Sequence, residues 1–311
     1  MSNEFDFIRK LKRKIPRNMQ GRLGIGDDAD LLRIMPGFDQ VVSADLVAEG
    51  VDFVRGKLAP RLAGRKALAV NLSDMAAMGA KPLAFVAALG IPKSVGEKWL
   101  FAFYDGMIRL AKEHGVLCLG GDISRSRQFF AAVTILGSVR QGAAVPRSGA
   151  KPGDAVGVTG TLGGSILKHH YRFTPRVREA LFMIRHVRVH AMIDISDGLW
   201  QDLEHVLGAS GVTASVDLAR IPVSADALKM CGGDRGRALK GALTDGEDFE
   251  LLFTVGQKDK SRLQKIWPAK FPGVKLSWIG EVEKGKGPVL WCFNGKKTKA
   301  PAVRTKGFSH F

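Results

Sequence analysis

Between residues 3 and 18 the hydrophobic positions recur at helical spacing. Phe5, Ile8, Leu11 and Ile15 share one face and predict a short helix. The β-prone run Val41-Val42-Ser43-Ala44-Asp45 predicts a short strand ending in a carboxylate. Arg65 to Gly79 reads as a helix in which Ala67, Ala69, Ala76 and Ala77 permit close packing against a neighbour. Phe85 to Leu89 predicts a strand, and Val95 to His114 an amphipathic helix stopped by Gly115. Val116 to Leu119 then predicts a strand running into Gly120-Gly121-Asp122, and Ala131 to Val139 another.

Turn formers crowd the stretch from Pro146 to Asp154 and mark a boundary there. Beyond it, Ala155 to Thr159 predicts a strand leading into Gly160-Thr161-Leu162-Gly163-Gly164-Ser165. A strand over Ala191 to Ile195 ends in Ser196-Asp197-Gly198, and a helix follows from Leu199 to Ala209. Glu250 to Val255, Lys275 to Ile279 and Val289 to Phe293 complete the expected strands. Strands and helices alternate in both halves, which predicts an α/β or α+β fold with two sizeable sheets.

Composition changes this picture little. At 311 residues, 45% hydrophobic and 25% charged, the chain can bury a core without disulfides or structural metals. No run is long and apolar enough for a transmembrane helix, and the N-terminus lacks a secretory apolar segment. Three scattered cysteines fit a reducing compartment and give no zinc spacing. A cytoplasmic protein is the expectation. The net charge is +17, with basic residues clustered near the N-terminus, from Lys168 to Arg188, and near the C-terminus. That excess reads either as a field attracting anions or as a solvated basic surface. Nucleic acid is not the expected partner, because no interleaved aromatics or binding motif accompany the charge. His169, His170, His186 and His190 read as surface residues of the central basic segment.

The candidate chemistry lies in aspartates that follow apolar runs or sit in glycine turns: Asp27, Asp28, Asp45, Asp74, Asp122, Asp194 and Asp197. Carboxylates at strand ends face the crevice where α/β folds bind ligands. Each alone is also a good cap or turn former. Clustered, they repel unless a cation neutralises them, and hard oxygen ligands select Mg²⁺ or Mn²⁺. Gly120-Gly121 and Gly160 to Gly164 read either as phosphate-binding backbone or as tight turns. No Walker A loop, dinucleotide fingerprint, GxSxG elbow or HExxH occurs.

Taken in order, these motifs resemble the thiamine-monophosphate kinase family of the aminoimidazole-ribotide-synthetase-like superfamily. The matching stretches include Gly24-Ile25-Gly26-Asp27-Asp28-Ala29, Lys66 to Ala80, Gly120-Gly121-Asp122 and Arg147 to Asp154. Further on come Met192 to Leu199, Gly246 to Phe253 and the C-terminal Gly307-Phe308-Ser309-His310-Phe311. The resemblance implies a two-domain synthetase-like α/β (α+β) fold. Residues 1–146 would bind ATP and metal and pair across a homodimer, and residues 147–311 would complete the nucleotide and substrate site. It implies phosphorylation of thiamine monophosphate to thiamine diphosphate by direct in-line transfer from ATP, with several Mg²⁺ ions and no strong general base. The implied metal ligands are Asp28, Ser43, Asp45, Asp74, Asp122, Asp194 and Asp197. The implied ATP contacts are Tyr104, Gly121, Asp122, Arg147 and Ser196, and the implied substrate contacts Asp52, Glu247 and Phe308.

The chain departs from the family pattern at Ser43-Ala44-Asp45, Gly50-Val51-Asp52-Phe53 and Asp245-Gly246-Glu247-Asp248, and in the short basic segment from Gly164 to Ala191. Where the family usually has a histidine, this chain has Asp52. Two other readings stand beside the kinase. One is a related ATP-dependent kinase or synthetase acting on a different small phosphorylated or amine acceptor. The other is a non-catalytic basic protein binding nucleic acid or a partner.

Overall fold

The computed structural model describes residues 13–14, 36–303 and 307. Arg13 and Lys14 are helical, and the rest of the expected helix over 3–18 lies outside the described residues, as do Asp27, Asp28 and Phe308. The chain forms two compact units, one of residues 1–75 with 80–143, the other of 76–79 with 144–311. No described helix is long and apolar enough to cross a membrane.

The first unit is built on a four-stranded sheet of β1 (Phe38–Ala48), β2 (Lys81–Ile91), β3 (Leu117–Arg125) and β4 (Phe130–Arg140), in the order β1-β4-β2-β3. Helix α2 (Glu97–His114) and all but the last two residues of helix α1 (Pro60–Ala77) belong to the same unit. Pro60 opens α1, a position where the missing N–H costs nothing. Gly115 closes α2 in the left-handed conformation, φ 65°, as the sequence predicts. On β4, Ala131, Val133, Ile135 and Val139 are buried on one face. Phe53, Trp99, Phe103 and Phe129 form an edge-to-face aromatic cluster beside them. The opposite sheet face keeps Val42 and Leu46 58% and 57% exposed, with Val86 and Phe130 also exposed.

Two strands differ from expectation in a way that moves the aspartates. Strand β1 is 11 residues long because β4 pairs with all of it, from Phe38↔Arg140 to Ala48↔Phe130. Asp45 is therefore mid-strand, opposite Val133. Strand β3 likewise continues through Gly120-Gly121-Asp122 instead of turning there. A bulge in its parallel pairing with β2 sets Val86 beside Gly120 and Ala87 beside Gly121. A Cβ on Gly121 would lie 1.9 Å from the Ala87 carbonyl oxygen, so the glycine permits a close strand approach.

The second unit carries a seven-stranded sheet ordered β11-β10-β7-β9-β5-β8-β6. Its strands are β5 (Ala155–Thr159), β6 (Val189–Asp194), β7 (Thr213–Asp217), β8 (Leu251–Val255), β9 (Leu276–Glu283), β10 (Leu290–Phe293) and β11 (Lys296–Lys297). Central strands β5 and β8 are buried at every position, so both faces of the sheet are covered. The helices are α3 (His169–Arg172), α4 (Val177–His186), α5 (Leu199–Ser210), α6 (Ala225–Met230), α7 (Arg235–Thr244) and α8 (Gln257–Lys270). Leu203, Val206 and Leu207 of α5 join Val156, Val158, Ile193, Leu252 and Ile279 in one core. Phe182 of α4 packs against Trp267 of α8 and the following Phe271.

Candidate active site

In the first unit, the two-residue period of β1 puts Ser43 and Asp45 on one face, half-buried, and Val42, Ala44 and Leu46 on the other. The Ser43 hydroxyl donates to a carboxylate oxygen of Asp74. Asp74 stands half-buried on α1 among the buried residues Asn71, Ser73 and Met75. On the edge strand β3, Asp122 is exposed beside Gly121. Tyr104 of α2 is buried, and its phenol is pushed up first by burial, then by Cys118 and Asp122. Burial also pushes the Cys118 thiol up to about 12. The Asp52 carboxylate accepts the Ala48 N–H at 2.8 Å and closes its own turn, while its carbonyl accepts the buried Lys66 ammonium at 3.0 Å.

In the second unit, β6 ends at the buried Asp194, and Ser196 and Asp197 follow before α5. Gly198 stands at the N-cap of α5 with φ 119°. Asp202, on the first turn, reaches back to accept the N–H groups of Asp197 at 3.1 Å and Gly198 at 3.2 Å. Gln201 donates to Asp197 Oδ2 at 3.1 Å. Burial, followed by the charges of Asp194 and Asp197, pushes the Asp202 carboxyl up to about 8. This crowding of hard oxygen donors is what a divalent cation would relieve. Donor atoms of Asp197, Asp202 and His205 lie within 4.8 Å of one another. Asp202 escapes sequence reading because it follows no strand; its signal is a carboxylate one turn after an Asp-Gly cap.

Glu247 joins this group through the backbone: its N–H donates to the Ser196 carbonyl at 2.7 Å. Phe249 N–H donates to the Ile195 carbonyl at 2.8 Å. Gly307 packs against the Asp197 carbonyl and Gln201. Arg147 is exposed and placed differently. Its segment is tied to Ser210, whose hydroxyl accepts the N–H groups of Gly149 and Ala150 at 3.1 Å. Ser210 ends α5 and Asp197 precedes it, so these anchors stand about a helix length apart, roughly 17 Å. The structure thus groups Asp194, Ser196, Asp197 and Glu247, and leaves Arg147 near the far end of α5.

In this unit the structure decides one open reading and corrects two expectations. Of the two readings of the loop Gly160 to Gly164, the structure favours the tight turn, because its glycine and leucine N–H groups are already engaged. Gly160 donates to the Lys275 carbonyl, Leu162 to the Pro222 carbonyl, and Gly163 to Asp248 Oδ1. The histidines are not all surface residues. His170 is buried with Nδ1 3.5 Å from a Glu247 oxygen, and His190 pairs with the buried Asp154 at 2.8 Å. Nor is Arg176 part of a solvated basic face, because it is bound to the buried Glu250.

Residues 26–139 match the AIR synthase related protein, N-terminal domain, and residues 160–292 the AIR synthase related protein, C-terminal domain. The thiamine-monophosphate kinase of Rhodopirellula baltica is 35% identical over 315 residues, spanning 98% of this chain and 95% of that one. The crystal structure of thiamine-monophosphate kinase from Stenotrophomonas maltophilia K279a superposes with a TM-score of 0.79 at 35% identity, covering 94% of this chain and 96% of the other. The structure of AaThiL complexed with AMPPCP and TMP gives a TM-score of 0.76 at 29% identity, with 99% and 97% coverage. Similarity on this scale, spread across both units, makes the chain a member of the thiamine-monophosphate kinase family.

Proposed function

We propose that this chain transfers the terminal phosphoryl group of ATP to thiamine monophosphate, forming thiamine diphosphate. One observation carries the reading: the chain is 29% identical to AaThiL complexed with AMPPCP and TMP, over 99% of its length. AMPPCP is an ATP analogue, and TMP reads as the phosphate acceptor.

The carboxylate and hydroxyl donors fit Mg²⁺, and the Asp202 carboxyl, raised first by burial and then by the charges of Asp194 and Asp197, stands where a bound cation would offset that crowding. In the first unit Ser43, Asp45, Asp74 and Asp122 would hold the ions, with Asp28 from outside the described residues. In the second unit Asp194 and Asp197 would do so. Bound Mg²⁺ supplies charge neutralisation for two polyanionic substrates. The protein's own part is positioning. Tyr104 and Gly121 with Asp122, and separately Ser196 and Arg147, are the proposed nucleotide contacts. Arg147 can meet a phosphate with two parallel N–H bonds. Glu247 presents a carboxylate to a cationic heterocycle, and Asp52 and Phe308 complete the proposed acceptor contacts. An acceptor phosphate is already ionised at neutral pH, so no side chain need act as general base.

The exposed apolar sheet face carrying Val42, Leu46, Val86 and Phe130 supports a homodimer formed through the first unit. A cytoplasmic location accords with the scattered cysteines, none of them in a disulfide. The deciding experiment incubates purified protein with Mg-ATP and thiamine monophosphate and follows products by chromatography. Thiamine diphosphate and ADP should appear in equal amounts. A folded, ATP-binding protein that makes no thiamine diphosphate, or releases ADP only with another acceptor, overturns the assignment.

A further inference from the structure

The loop that carries Glu247 is held in an unusual backbone conformation. Gly246, Glu247 and Phe249 all have positive φ, at 71°, 55° and 49°, two of them with a side chain. Such backbone persists only where the surroundings over-determine it. Part of that determination is plain. Ser165 Oγ donates to the Gly246 carbonyl at 2.7 Å, and His169 Nε2 to the Asp248 carbonyl at 2.8 Å. Phe173 stacks on Phe249 with centroids 4.2 Å apart.

The Glu247 and Phe249 N–H groups donate to the Ser196 and Ile195 carbonyls, and a further tie is a side chain. Asp248 is 1% exposed, and its Oδ1 accepts the Gly163 N–H at 2.8 Å. Its other oxygen, Oδ2, is buried without a hydrogen-bond partner. Burial, then Glu250, Asp245 and Asp202, push this carboxyl well above the usual carboxylate range. An apolar side chain of similar volume would fill the same space with no unpaired oxygen. What Asp248 adds over such a residue is the bond to Gly163. Gly163 packs close against the α7 backbone, since a Cβ there would lie 2.7 Å from the Ala242 nitrogen.

We propose that Asp248 is a positioning residue for the acceptor: by tying its loop to the Gly163 backbone it fixes the left-handed turn that presents Glu247. The proposal rests on the reading of Glu247 as an acceptor contact. The Asp248–Gly163 bond itself involves no residue proposed to bind nucleotide, and the loop meets Ser196 only through the Glu247 N–H, so its loss acts chiefly on acceptor binding.

The test compares Asp248→Ala, Asp248→Asn and Glu247→Ala in the full chain, reading kcat, the KM for thiamine monophosphate, the KM for ATP, and the melting temperature. Asp248→Ala should raise the acceptor KM about tenfold with the ATP KM and kcat within about threefold. Asp248→Asn, which still accepts from Gly163, should bring the acceptor KM back to within about twofold. A merely structural role would lower the melting temperature without a selective rise in acceptor KM. Should Asp248→Ala not fold, Asp248→Leu fills the volume without accepting the bond and takes its place. An unchanged acceptor KM in a folded Asp248→Ala or Asp248→Leu, beside a raised one in Glu247→Ala, overturns the tether alone. An unchanged acceptor KM in Glu247→Ala withdraws Glu247 from the acceptor site and the tether with it. Failure of Asp248→Asn to recover also overturns the proposal.

Discussion

Ser43 on β1 donates its hydroxyl to the Asp74 carboxylate on α1, joining two elements 31 residues apart in sequence. The bond leaves Asp74 other lone pairs, so the same carboxylate can meet a cation. Asp74→Asn should therefore cost about a hundredfold or more in kcat, the loss of several kcal/mol of charge stabilisation. Ser43→Ala, which removes only the orienting donor, should cost about tenfold. Thiamine diphosphate formation titrated with Mg²⁺ checks both. Near-normal turnover in Asp74→Asn counts against a metal role.

Arg176 grips Glu250 with two bonds, Nε to Oε2 at 2.7 Å and Nη2 to Oε1 at 2.5 Å. Thr159 donates to the same carboxylate at 2.7 Å. With side-chain exposures of 14% and 2%, this pair is shielded from water. Removing one partner of a buried pair strands the other charge, at about 3–5 kcal/mol. Arg176→Ala should lower the unfolding free energy by that much in denaturant titrations. Replacing both partners together, Arg176→Met with Glu250→Gln, should cost less than the single change, since Glu179, 3.6 Å from the guanidinium, loses its partner equally in both. A double variant weaker than Arg176→Ala would show that the stranded charge is not the cause.

The hydrophobic pattern shows where strands lie more reliably than where they begin and stop. Strand β5 follows it residue for residue, because its apolar run is bounded by turn formers at both ends. Strands β1 and β3 outrun it, since pairing with β4 and β2 carries them across polar and glycine positions. Helix α8 goes unread because it is polar nearly throughout and buries only Leu263 and Trp267. The candidate site divides in the same way. Asp194 and Asp197 are legible as carboxylates flanking a strand end. His170 and Asp248 are not, because what singles them out is burial and partners contributed by distant segments, and Asp202 shows only the weak signal of a carboxylate one turn after an Asp-Gly cap.

Folding raises the Asp202 carboxyl from 3.8 to about 8. A group that holds its proton more tightly when folded stabilises the chain fully below its unfolded value. That contribution fades as pH rises through the folded value. With divalent metal chelated, the melting temperature should fall from about pH 4 to beyond pH 8. Asp202→Asn cannot ionise and should flatten that decline. Thermal melts of both proteins across this range provide the check, and equal slopes would remove Asp202 as the titrating group.

Helices α1 and α2 cross at two glycines, and neither helix has room for a side chain there. A Cβ on Gly64 would lie 1.8 Å from the Phe103 carbonyl oxygen, and one on Gly106 would lie 1.9 Å from that of Arg61. Both obstacles are backbone, so no rotamer change relieves them, and the helices must separate. Alanine is the better helix former by about 1 kcal/mol, which works against the clash. Overpacking of well-filled contacts costs about 1–3 kcal/mol where side chains can adjust, and backbone contact is less forgiving. Gly106→Ala should therefore destabilise by at least about 2 kcal/mol net. Gly208, on α5, is the control, since a Cβ there meets nothing within 4 Å. Gly208→Ala should stabilise by about 0.5–1 kcal/mol. Urea unfolding of the two variants should give opposite signs, and a stabilised Gly106→Ala would refute the close crossing.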